Sequence, residues 1–301
     1  MEIKIEEPEK WAALELSIVG GDEREQEIAR LAVETGARVR VFAFPMGDDG
    51  IDGTTPCDSV EAAFDQARIV LFPIPGIATD NSIFATEKIV PSATLLSHMA
   101  DNGHIILGRA DQNLEAAARA NSVRLHEYEH DQELMLLRAP AIVEGALQIA
   151  IDLTRVTIHD ASVCVVGQGN IGTVLTRTLV SLGAKVTVAA RNPVQRAAAY
   201  TMGAASISTD ELLDNASNFD MIMSTVPAPL VTRHVIDRLP DHALVMDLSA
   251  PPGGCDLDYA EQSGRAAVWA RALGRRAPIT VGQSQWFGIA KIINEIVRAD
   301  N

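Results

Sequence analysis

The chain has 301 residues, 47% of them hydrophobic, 22% charged and 4% aromatic, with a formal net charge of −15. At roughly 150 residues per domain the length favours two domains, and the acidic balance argues against nucleic acid or an anionic membrane as a partner. No apolar run approaches the roughly 18–20 residues of a membrane span, and the acidic start lacks the segments of a signal peptide. Three scattered cysteines, Cys57, Cys164 and Cys255, suggest a reducing compartment without disulfides, so a cytoplasmic protein is expected.

In chain order, short β-branched runs alternate with longer Ala/Leu/Glu/Arg-rich stretches, which reads as βαβ units and a mostly parallel sheet. The alternation occurs twice. The first series places strands at 16–19, 38–42, 69–72, 104–107 and 123–125, and helices at 24–35 and 114–120. Residues 45–56 hold Gly47, Gly50 and Gly53 among aspartates and read as a loop. Residues 140–153 repeat apolar side chains at helical spacing behind Pro140, which suits a first turn, and read as a bridging helix. The second series places strands at 162–166, 185–189, 221–225, 243–247 and 266–269. A last helix, about 285–297, lines up Trp286, Ile289, Ala290, Ile293, Ile296 and Val297 in one apolar stripe. That stripe needs a surface to cover, and the first domain is the expected one. The expected division is therefore a first domain 1–139, a bridging helix 140–156, a second domain 157–281 and a returning helix 282–301.

One motif is sharp. Gly167, Gly169 and Gly172 fit G-x-G-x-x-G, after a predicted strand and at the start of a helix with apolar Ile171, Leu175, Leu179 and Leu182. In that context the glycines make the tight turn, admit a pyrophosphate and let helix and strand pack closely. The helix start, with Asn170 and Ile171, offers N–H groups and a favourable dipole to the phosphates. The fold class expected is α/β: two doubly wound, Rossmann-like parallel-sheet domains. After the second strand the chain reads Ala190-Arg191-Asn192, with no carboxylate to hold ribose hydroxyls. Arg191 would meet a 2′-phosphate, which favours NADP, with NAD the alternative. Thr225, Val226 and Pro227 end the next strand and should face the nicotinamide side. Ser249 lies in a small-residue, Gly-rich loop after residue 247, where ring and substrate need room, although the loop also reads as a plain turn.

Other features carry two readings. Gly20-Gly21-Asp22 is either a turn lining a substrate cleft, where N–H groups and Arg24 meet a carboxylate, or a helix start capped by Asp22. Glu144, beside Gly145, is a base or substrate anchor, or an acid favoured by the helix dipole. His126-Glu-Tyr-Glu-His130 matches the zinc-protease pattern but follows a predicted strand, so a polar loop is expected and no metal centre.

With these residues in view, the chain resembles the family of the A subunit of dipicolinate synthase. The resemblance rests on Ile18 to Asp22 with Arg24, Glu27 and Ile28; on Pro140 to Gly145; on Thr157 to His159 and the glycine loop; on Gly183-Ala184, Met202-Gly203 and Thr209 to Leu212; and on Asp247-Leu248, Pro252 to Asp256, Tyr259 to Glu261 and Gly282-Gln283. It implies an NADP-linked conversion of a hydroxylated tetrahydrodipicolinate, made from aspartate semialdehyde and pyruvate, to pyridine-2,6-dicarboxylate, a spore product. It also implies a flavoprotein-like B subunit. A homo-oligomer is expected as well. The chain departs from the family pattern at Pro251, where an arginine is expected, at residues 270–276, and at Ile279, where a lysine is expected. Two other readings are a D-2-hydroxyacid dehydrogenase, although no histidine follows residue 242, and a nucleotide-binding regulatory subunit. The expected substrate pocket lies between the domains, formed by Gly20 to Asp22, Glu144 and the loop around Ser249, which gives Asp22, Glu144 and Ser249 as candidate catalytic residues.

Overall fold

The structure, a computed structural model, describes residues 5–129 and 131–299. The chain divides into two compact units. One comprises the residues up to Met135 together with those from Ala277 onward; the other is Leu136–Arg276.

The first unit is built on six strands: β1 (Glu15–Val19), β2 (Arg38–Phe42), β3 (Thr54–Pro56), β4 (Ile69–Leu71), β5 (His104–Leu107) and β6 (Arg124–Glu127). All pairings are parallel, in the order β3-β2-β1-β4-β5-β6. Alternation sorts the two faces: Leu16 and Ile18 enter one core cluster, Val19 and Val70 the other. Burial on both faces is why these strands read as continuous apolar runs. The C-terminal helix, Pro278–Ala299, packs on the helix Glu23–Glu34 in this unit, and Trp286 meets Trp11 edge to face at 6.0 Å. The apolar stripe thus covers a surface of the first unit, as its pattern predicts.

The second unit repeats the plan with β7 (Ser162–Val166), β8 (Lys185–Ala189), β9 (Ala205–Ile207), β10 (Met221–Ser224), β11 (Leu244–Asp247) and β12 (Ala266–Trp269). These are again all parallel, in the order β12-β11-β10-β7-β8-β9. Val163 and Val165 face one core, Cys164 and Val166 the other. Both units are therefore doubly wound α/β sheets. Strand order reverses between β1 and β4 in one unit and between β7 and β10 in the other. In such sheets ligands bind beyond the carboxyl ends of the strands at the reversal.

Three sequence expectations change. β3 lies inside the segment expected to be a loop, and β9 has no counterpart among the expected strands; both are three-residue edge strands, too short to show a period. The bridging helix begins at Gln132, so Pro140 lies inside it rather than in its first turn. The start is set by Asp131, whose carboxylate accepts the N–H groups of Glu133 (2.8 Å) and Leu134 (3.2 Å). As a helix of 22 residues and mean hydropathy 1.6, Gln132–Leu153 is long and apolar enough to cross a membrane, which no unbroken apolar run reveals. Here Leu134 belongs to a core of the first unit, and Val143, Ala146 and Ala150 belong to a core of the second.

Candidate functional site

β7 ends in Gly167, whose φ of +95° suits glycine, and the helix Asn170–Ser181 follows with Gly169 as its N-cap. The first and third glycines are demanded by the protein itself. A Cβ on Gly167 would overlap Val226 and stand 2.7 Å from Thr225 Oγ1; one on Gly172 would overlap the Gly167 carbonyl oxygen. Gly169 differs. Its φ is −86° and a Cβ there would meet nothing within 4 Å. A glycine with open space before a helix N-terminus fits the close approach of a pyrophosphate. Behind the loop, buried Gln168 accepts a hydrogen bond from Thr176 Oγ1 at 2.9 Å.

At the end of β10, Thr225 donates from its hydroxyl to the Val166 carbonyl at 3.1 Å and from its N–H at 2.9 Å. Thr225, Val226 and Pro227 therefore stand beside the glycine loop at the strand-order reversal. Arg191 and Asn192 follow β8, the strand next to β7. The Asn192 side chain caps the helix Pro193–Thr201 by accepting Val194 N–H at 2.8 Å. Arg196 fixes the same turn through the Ala190 and Arg191 carbonyls (2.7 and 2.8 Å). The Arg191 side chain is exposed and makes no hydrogen bond or ion pair among the described residues.

The loop after β11 hangs on Asp247, 1% exposed. Its Oδ1 accepts Ser249 N–H (2.8 Å) and Ser249 Oγ–H (2.6 Å); its Oδ2 accepts Gly254 N–H (2.6 Å) and Cys255 N–H (3.0 Å). Ser249 is buried, its hydroxyl donates inward, and its carbonyl accepts Trp269 Nε1–H at 3.0 Å. Burial, with Asp247 nearby, raises the pKa of the Cys255 thiol. Glu144 is exposed and accepts from Arg276 Nη1 at 2.9 Å, while Arg276 Nε donates to Gln148 at 3.2 Å. Gly145 does permit a close approach, but of Leu273 and Arg276 in the same unit, 3.0 and 3.2 Å from where its Cβ would be. No hydrogen bond or ion pair joins Glu144 to Ser249 among the described residues.

In the first unit the turn after β1 has spent its donors. Gly20 N–H goes to Phe42 O (2.9 Å), Gly21 N–H to Phe84 O (2.7 Å) and Asp22 N–H to Glu25 Oε2 (2.7 Å). Arg24 is a bidentate partner of Asp22, Nε to Oδ1 at 2.7 Å and Nη2 to Oδ2 at 3.0 Å. The turn thus does not offer free N–H groups to a ligand. Asp22 caps the helix Glu23–Glu34 in a capping box completed by Glu25. Burial pushes the Glu25 carboxyl up to about 7, against the attraction of Arg24. Sequence reasoning misses Glu25, although Asp22 and Glu25 stand at capping-box spacing.

His126 and Glu127 lie on β6, not in a loop or a helix; His126 Nε2 is 2.9 Å from His104 Nδ1, and His130 lies outside the described residues. Among the described residues no group of three or more His, Cys, Asp or Glu side chains could hold a metal ion.

A doubly wound sheet whose reversal point carries an open glycine at a helix N-terminus defines an oxidoreductase of the nicotinamide-dependent dehydrogenase class. Comparison with known proteins agrees: the family model for the D-isomer specific 2-hydroxyacid dehydrogenase NAD binding domain matches residues 141–240. The family model for the N-terminal domain of the dipicolinate synthase A subunit matches residues 15–129. The A subunit of dipicolinate synthase from Bacillus subtilis (strain 168) is 31% identical over 94% of this chain and 97% of its own length. The crystal structures of the dipicolinate synthase A subunits from Bacillus halodurans and Bacillus subtilis superpose with a TM-score of 0.85 each, at 28% and 29% identity, over 94% and 96% of this chain and 97% and 98% of theirs. The chain belongs to the family of dipicolinate synthase A subunits.

Two outcomes follow from this geometry. Gly169→Val keeps the fold, since the site is open and its φ is ordinary, but loses dinucleotide binding by calorimetry; retained wild-type affinity places the phosphates elsewhere. Glu25 binds its proton more tightly in the folded chain than at its ordinary value of 4.5. Between pH about 4.5 and about 7 the folded state holds a proton that the unfolded state has lost, so stability falls as pH rises through that window. Urea titrations should show Glu25 contributing a loss on the order of 3 kcal/mol between pH 4 and pH 8, which Glu25→Gln removes.

Proposed function

We propose that this chain is the A subunit of a dipicolinate synthase, oxidising a hydroxylated tetrahydrodipicolinate to pyridine-2,6-dicarboxylate with NADP. The observation that carries the reading is similarity to the Bacillus subtilis protein along 94% of the chain, covering both units rather than the cofactor loop alone. The chemistry balances on a dehydrogenase. Loss of water adds one double bond to the ring, and removal of a hydride and a proton adds the last. The nicotinamide, when bound, accepts the hydride. Aromatisation supplies much of the driving force, so the protein's task is mainly to hold the two reactants in line.

In this reading the loop Gly167 to Gly172, with Asn170 and Ile171 at the helix start, holds the pyrophosphate. Arg191 meets the 2′-phosphate beside Asn192, because no carboxylate stands there to prefer ribose hydroxyls. Thr225, Val226 and Pro227 border the nicotinamide. The Asp247-ordered loop presents Ser249 near the reacting ring. Asp22, held by Arg24, belongs to the acid-binding end of the first unit, and Glu144 with Arg276 forms a second polar anchor in the other unit. Pairing with a B subunit, homo-oligomer formation, a cytoplasmic location and a role in sporulation complete the proposal by analogy with the Bacillus protein.

The test is NADPH formation by the purified chain supplied with aspartate semialdehyde, pyruvate and the enzyme that condenses them. Turnover with pyridine-2,6-dicarboxylate as product is expected, faster with NADP than with NAD. Arg191→Ala should weaken NADP binding about tenfold or more and leave NAD binding nearly unchanged. Glu144→Gln should lower turnover more than cofactor affinity. Product formation with NAD but not NADP overturns the cofactor assignment; no product with either overturns the function.

A further inference from the structure

The first unit holds two buried groups for which dinucleotide chemistry has no use. Glu25 is 3% exposed, with Oε2 on the Asp22 N–H at 2.7 Å. It receives no cation directly, because the Arg24 guanidinium is turned onto both Asp22 oxygens. The position is built for it: Gly21 has φ +117°, and a Cβ there would overlap the Glu25 carboxyl group. The second group is Gln285 in the C-terminal helix, 0% exposed, with neither amide atom hydrogen-bonded. One turn before it, Gly282 lies against the start of the Glu23–Glu34 helix; a Cβ on Gly282 would stand 2.8 Å from Arg24 O. Residues three apart share a helix face, so Gln285 follows Gly282 on the side turned to that helix.

We propose that Glu25 makes carboxylate binding at the Gly20–Asp22 turn proton-linked: an anionic acid binds with Glu25 neutral and draws a proton onto it from solvent. This rests on the reading that the first unit takes an acid substrate at its strand ends. Asp22 and Arg24 cancel one another, so an ionised Glu25 leaves the cluster with a net negative charge and a protonated one leaves it neutral. In a buried site that difference weighs heavily against an incoming anion. Neighbouring groups do not replace it. Glu27 is bound to Arg30 at 2.8 Å and accepts from Gln283, Glu133 faces Lys291 at 3.8 Å, and Tyr128 acts on Arg24. The first turns of the C-terminal helix bring Gln283 and Gln285, both neutral. Since the N–H groups of the turn are spent, the donors left for an acid group are the Gln285 amide and the O–H of neutral Glu25. Burial lifts the Glu25 carboxyl to about 7, which puts the linkage at physiological pH.

The experiment is calorimetric titration of the whole chain with pyridine-2,6-dicarboxylate between about pH 6 and pH 8.5, in buffers of different ionisation heat. Both ligand carboxylates stay ionised over that range. Wild type should take up a fraction of a proton that rises toward one per ligand above pH 7, with affinity falling toward tenfold per pH unit. Glu25→Gln should lose the uptake and keep the low-pH affinity; Gln285→Leu should weaken binding at every pH and keep the uptake. Uptake that persists in folded Glu25→Gln, or is missing in wild type, overturns the inference. Should Glu25→Gln fail to fold, infrared difference spectra of wild type decide: a protonated-carboxyl band must grow when ligand is added at pH 8, and its absence is equally fatal. Binding without uptake overturns this inference alone, whereas no binding at any pH overturns the functional reading and this inference with it.

Discussion

The contact between Gly172 and the Gly167 carbonyl is the constraint on which the second unit turns. β7 is buried on both faces, so the chain must leave the sheet at its end and return as a helix packed directly against it. Any side chain at Gly172 would overlap the strand's last turn, and any at Gly167 would run into Val226. Two absent side chains therefore set the helix close enough for its N-terminus to open at the strand-order reversal. Gly169, between them, is left facing space. Strand order, helix placement and a site for an anion are consequences of one close approach.

The first unit has the same strand order but a different reversal. Where β7 ends in an open glycine, β1 ends in a turn whose N–H groups are consumed and whose acid side chains are buried. The same architecture thus supports opposite electrostatics: a helix start that welcomes phosphate in one unit, and a paired Asp–Arg with an unpaired carboxyl in the other. Asp247 plays a third part, gathering four donors onto one carboxylate to shape the loop after β11. Fold alone does not decide among these roles; the residues at each strand end do.

Much of this is legible in the sequence, for physical reasons. Strands buried on both faces appear as apolar runs, and the glycine loop appears because only glycine tolerates its contacts. What escapes is short or non-local. β3 and β9 have three residues each, too few for a period. The sequence pattern starts the bridging helix too late because Pro140 is a stronger punctuation mark than Asp131, which caps the helix. Glu25 hides in plain spacing: Asp22 reads as a cap, and the residue that completes the box stands three positions later. The Asp247 clamp joins residues up to eight apart around a turn, and Gln285 sits amid an apolar stripe; neither burial nor partnering can be read from such patterns.

The interlock of Gly21 with Glu25 also limits how this chain can drift. No side chain fits at Gly21 while the glutamate fills the space above it, and the backbone there disfavours most other residues. Shortening Glu25 would free the space but release the Asp22 N–H. The two positions are therefore epistatic: a substitution at either one changes which substitutions the other can accept, so the turn is expected to persist or be replaced as a unit among descendants of this sequence.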